Sequence, residues 1–202
     1  MSEKQKSGFV CGWGPERSTF TMQQPAKYVA FNSIRDNPAI GDERNFVHAA
    51  EMGGRFSDLV SVSAGKEYEV YIGYHNNAAS NYNALGTGTA LGAKAAVILS
   101  GLVSADCRGG VSARIFAENA QPKEIWDGAA FTTDSQTALR LVYVPGSAVI
   151  HCSGAVNGSI LSDDIMDWNK GTFIGYDKLD GILPGCSEYS GHIILRLRAE
   201  NA

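Results

Sequence analysis

From Glu67 to His75 the chain alternates: Tyr68, Val70, Ile72 and Tyr74 fall on one face, with Glu67, Glu69, Tyr71 and Gly73 between them. A period of two is that of a half-buried strand, so this stretch predicts a strand whose Tyr68–Tyr74 face meets a core. Similar runs predict strands at Ala93–Ser100, Val111–Phe116 and Ala138–Val144, where Leu139, Leu141 and Tyr143 share a face. Ser147–Cys152 follows the Pro145-Gly146 turn, and the run 191–198 places Ile193, Leu195 and Leu197 opposite Arg196 and Arg198. Phe20–Met22 and Tyr28–Phe31 suggest one or two edge strands before the Asp36-Asn37-Pro38 turn, where Asn and Asp bond their own backbone and Pro blocks continuation.

Polar and glycine-rich stretches separate these runs. Asn76–Asn81 breaks the clearest strand, and Leu85–Gly92 prolongs the break into a predicted long surface loop. Ser162–Trp168 is the best candidate for a short helical turn, with Ser162 as its cap. Asn157-Gly158 is a strong turn pair. No long amphipathic helix and no repeat is present, and the spacing of short strands is that of a sandwich or barrel. The expected fold is all-β, one sandwich over residues 14–202 preceded by a flexible arm, 1–13, in which Phe9, Val10, Cys11 and Trp13 are the residues able to pair with something.

Composition narrows the function classes. Glycine contributes 23 residues beside 8 Tyr and 8 Phe, the make-up of short strands joined by tight turns. A formal charge of −4 with scattered Lys and Arg argues against binding a phosphate backbone, so nucleic acid is not an expected partner. No stretch approaches the roughly 20 apolar residues of a membrane helix, and no apolar run follows the polar start Met1–Lys6 to read as a secretory leader.

The four cysteines, Cys11, Cys107, Cys152 and Cys186, include no Cys-x-x-Cys pair, which removes the common zinc and redox patterns. Two disulfides or buried free thiols remain open, with three pairings for the former. His48, His75, His151 and His192 lie far apart, at no spacing that would set two imidazoles on one metal from a single element, and read as strand-end or surface histidines. Asp163, Asp164 and Asp167 offer hard oxygen ligands, so calcium is the one candidate ion, although no calcium-loop pattern surrounds them. Trp126 and Trp168, with Trp13, are candidates for stacking on a glycan. Gly86-Thr87-Gly88 lacks the spacing of a phosphate loop, and Tyr189 stands where a nucleophile elbow around Ser187 needs Gly. An enzyme would need an acid-base pair brought from separate strands, such as Asp42 or Glu43 with His75 or His151. No catalytic residue is assigned.

Val62–Asn77 resembles the opening of the conserved repeat domain of bacterial and archaeal surface proteins, with Ala64 in place of the usual Pro. Tyr143–Ser147, Asn157-Gly158 and Gly175–Gly185 continue the likeness. Trp13–Arg17, Phe31–Ile34 and Gly41–Val47 resemble a group of uncharacterised surface-anchored proteins of Gram-positive and related bacteria. The resemblance implies an extracellular immunoglobulin-like β-sandwich with long inter-strand loops. In function it implies a structural or adhesive subunit of a cell-surface structure, which the arm could extend into filaments by adding a strand to a neighbour's sheet. Its partner would be itself or a surface glycan or protein, and the alternative is a carbohydrate-binding module. Whether a lysine meets an asparagine in the core, as a covalent cross-link would require, is left to the structure.

Overall fold

A computed structural model describes residues 7–9 and 11–202. Val10, one of the four arm residues, lies outside the described residues. The expectation of an all-β sandwich holds. One sheet, sheet I, has the order β10 (Thr172–Phe173), β5 (Lys94–Ser100), β6 (Cys107–Phe116), β7 (Glu124–Thr132), β3 (Leu59–Ser61), and β1 (Ser7–Gly8) runs parallel to the start of β6. Sheet II runs β2 (Val47–Glu51), β4 (Glu67–Tyr74), β11 (Gly191–Asn201). The far side of β11 is shared: β9 (Val149–Cys152) pairs with its first half and β8 (Leu139–Tyr143) with its second.

Alternation explains which faces meet. Val70, Ile72, Ile193, Leu195 and Leu197 of sheet II are fully buried against Val97, Val111, Ile115, Ile125 and Phe131 of sheet I. Asp127, itself buried on β7, links the sheets by accepting the backbone N–H of Phe46 (2.6 Å) and Val47 (2.8 Å). The Ser162 cap is present: its Oγ accepts the Asp164 N–H at 3.2 Å at the head of the Asp163–Met166 turn.

Two departures from the sequence reading have structural causes. The segments Phe20–Met22 and Tyr28–Phe31 form single bridges, Phe20 to Ile34 and Phe31 to Asn76, rather than edge strands. The break after β4 is not a free surface loop, because Asn76 and Asn77 are buried and act as clamps. Asn76 Nδ2 donates to the Gly88 and Leu183 carbonyls, and Asn83 exchanges two hydrogen bonds with Gly185. Side-chain amides here replace the ladder bonds that a strand would have made.

The cysteines form no disulfide: all four thiols are free. Cys107 opens β6 in sheet I and Cys152 closes β9 in sheet II, while Cys11 Sγ donates to the Asp58 carbonyl at 3.1 Å. Partial burial of the Cys11 thiol raises it above its ordinary value. Among the described residues no lysine is buried, so the core holds no partner for a lysine–asparagine cross-link.

Candidate functional site

The outer face of sheet II carries a groove of about 640 Å³. Cross-strand registry builds its floor. His48 on β2 sits opposite Tyr71 on β4, while His192 on β11 sits between Gly73 of β4 and His151 of β9. Odd-numbered β4 residues and even-numbered β11 residues face outward, since their neighbours fill the core. The rings stand as stacked plates. Tyr71 and His192 are 4.8 Å apart at 21°, His192 and His151 are 5.0 Å apart at 18°, and Phe56 closes one end, 5.7 Å from Tyr71. Gly73 keeps the floor open, because a Cβ there would stand 3.2 Å from the Tyr71 ring.

The inner wall is polar and fixed. Glu43, buried, takes the Nδ1–H of His75 on Oε1 at 2.8 Å, with Asn37 Nδ2 on the same oxygen at 2.7 Å and Asn77 Nδ2 on Oε2 at 2.7 Å. Burial alone would raise the Glu43 carboxyl, but these hydrogen bonds and the imidazole outweigh it and hold the group below the usual range. Among the described residues His75 Nε2 is buried without a hydrogen-bond partner, and Tyr74 Oη is buried against Cys152. Burial, with the Cys152 thiol beside it, pushes the Tyr74 phenol far up, so it stays an O–H. Asn32, held at φ 43°, ties the wall to the floor, its Nδ2 donating to the Gly73 carbonyl at 2.9 Å and its Oδ1 accepting the His75 N–H at 2.7 Å.

Of the pairings an enzyme would need, the structure assembles Glu43 with His75; Asp42 instead forks with Arg44, its Oδ2 at 2.6 Å from Nη2. The Arg44 guanidinium lies 3.9 Å over Trp13, which fixes that end of the arm. The other sites named from sequence lie elsewhere. Trp126 stands on the outer face of sheet I against Gly14, and Trp168 lies under the Arg114 guanidinium at 5.1 Å. The three carboxylates of the 162–168 turn serve different partners: Asp163 accepts from Tyr143 and Gly146, Asp164 pairs with Lys170 at 2.7 Å, and Asp167 caps Asn169 and Lys170. Among the described residues no cluster of three His, Cys, Asp or Glu is placed to hold a metal.

The arm also has a seat. Phe9 N–H donates to the Arg108 carbonyl at 2.9 Å, and the Phe9 ring lies where side chains at Gly110 and Gly128 would otherwise stand. Gly14 then exchanges two backbone bonds with Trp126.

The histidine groove itself is what sequence reasoning missed. Its residues come from positions 48, 71, 75, 151 and 192, joined only by strand register, so no local spacing rule could find it. No family model, curated protein or solved structure matches the chain.

Proposed function

We propose that the chain is a non-enzymatic, immunoglobulin-like adhesive domain of a microbial cell surface that holds a saccharide in the groove of sheet II. One observation carries this: the groove is lined by amides, imidazoles and aromatic rings, and the only carboxylate among its described lining residues, Glu43, already accepts from three donors. Amides and neutral imidazoles each offer both a donor and an acceptor, which suits hydroxyls, and Phe56 and Ile40 supply the apolar patches that sugar C–H faces need. The non-catalytic reading is supported by the burial of the one acid-base pair that forms, Glu43 with His75, whose imidazole Nε2 is closed off from solvent. The resemblance to surface repeat domains supports the extracellular setting.

A glycan array followed by titration tests the reading. Tyr71→Ala should weaken the best-bound sugar by about fivefold, because a stacked aromatic contributes on the order of 1 kcal/mol, while Trp126→Ala should leave affinity unchanged. Silence of the wild type across the array, with and without calcium, would sink the reading.

A second reading, self-assembly through the arm, has its own observation in the Phe9 seat. The groups that hold the arm, the Arg108 carbonyl and the Gly110–Gly128 hollow, can accept the same segment from a neighbouring copy. Deleting residues 1–13 should then abolish filaments or oligomers seen by negative-stain microscopy and leave a folded monomer; assemblies that survive the deletion rule this out.

A further inference from the structure

We infer that the stacked pair His151–His192 makes the groove a proton-gated site, open to a neutral ligand near neutral pH and closed to it in mildly acidic surroundings. The geometry carries it. Two imidazoles on directly opposed strand positions stack at 5.0 Å and 18°, and a third ring, Tyr71, stacks on the outer side of His192 at 4.8 Å. Neutral rings stack favourably in this arrangement, but two imidazolium ions at that separation repel, and Tyr71 stays a neutral phenol because burial raises it.

Among the described residues that line the groove, no free carboxylate faces the pair. From β4 it is faced by Tyr71 and, behind it, Tyr74 and His75; from β2 by His48, whose Nδ1 is held by Asp58 at 2.7 Å. Cys152 comes from β9 itself, and from the 32–46 segment comes Glu43, whose two oxygens already hold His75, Asn37 and Asn77. His192 is shifted down first by burial and then by the neighbouring His151, with no acidic group among the causes. Its neutral form is therefore favoured in the folded groove. That stabilisation is complete above the ordinary imidazole value and is lost as pH falls through it towards the lower folded value. Protonation then places two positive charges on the floor and separates the plates that shape it.

The saccharide reading supplies the identity of what is released; the charge switch stands apart from it. The Cε1–H resonance of His192 in the ligand-free protein, followed by NMR between about pH 8 and 5, should show His192 taking its proton at lower pH in the wild type than in His151→Gln. Midpoints that are the same with and without the neighbour overturn the gate. For the best-binding sugar of the array, affinity should fall severalfold from about pH 7.5 to 5.5, up to the factor of about ten that one linked proton gives one pH unit below its midpoint, and by much less in the doubly substituted protein. Sugar binding that does not weaken in acid also overturns the gate and leaves the saccharide reading standing. Coupled titration with no sugar bound at any pH keeps the switch and removes the saccharide.

Discussion

Glu43→Ala is expected to lower unfolding stability by about 3 to 5 kcal/mol, the cost of removing one partner from a buried charged network. The carboxylate is 1% exposed and receives His75 Nδ1–H and the Nδ2 groups of Asn37 and Asn77. Alanine leaves all three donors without an acceptor in a space too enclosed to hydrate freely, and each orphaned group costs about 1 to 3 kcal/mol. The loss also spreads. Asn77 Oδ1 holds the Ser33 N–H, and Asn32 joins His75 to the Gly73 carbonyl, so the wall and the floor of the groove are released together. Glu43→Gln keeps one acceptor oxygen but turns an N–H₂ toward a donor, and should fall between the two. Urea denaturation checks the order: the midpoint should drop from wild type through glutamine to alanine at constant slope. An alanine variant within about 1 kcal/mol of wild type would mean that the network is ornament rather than frame.

The second large effect is a pH dependence centred on Asp127. Its carboxyl is pushed up to about 6 by burial, against the lowering effect of the backbone N–H groups of Val47, Gly128 and Phe46. An acid whose folded value lies above its unfolded value binds more protons when folded. Its contribution is therefore fully present below about pH 4 and is lost as pH rises through about 6. A rise of about two units corresponds to about 2 to 3 kcal/mol. Stability of the wild type relative to Asp127→Asn should fall by about that amount between pH 4 and 7, since asparagine keeps an acceptor for Phe46 and Val47 and cannot ionise. Thermal or urea unfolding of both proteins across that range measures it. A difference that is flat with pH would show that the backbone donors compensate the buried charge fully.

The fold was legible wherever one face of a strand is dry. β4 and β11 read directly from alternation, and so did the Ser162 cap, because both depend on neighbours in sequence. β7 did not: its run Ile125-Trp126-Asp127-Gly128 carries an acid on the core side and a large aromatic outside, inverting the pattern that reveals a strand. Asp127 faces inward because it bonds to backbone on β2, a partner 80 residues away. The groove was illegible for the same reason. His151 and His192 meet through pairing of β9 with β11, and His48 joins through β2 and β4, contacts that no sequence window contains. One acid-base combination considered from sequence, Glu43 with His75, does form, but it is buried in the wall rather than presented to a substrate.

β11 follows the other described strands in sequence, and among them it alone joins the β2–β4 pair to the strands β8 and β9 within sheet II. As the chain leaves the ribosome, sheet II consists of two unjoined edges until the segment from Gly191 onward has emerged, and its contacts reach back more than 100 residues to Glu67. The row His48, Tyr71, His192, His151 comes into existence only at that final insertion. The groove is therefore a product of β11 pairing on both its sides, and a chain cut before Gly191 lacks the His192 plate and the ladder that brings His151 into line with Tyr71.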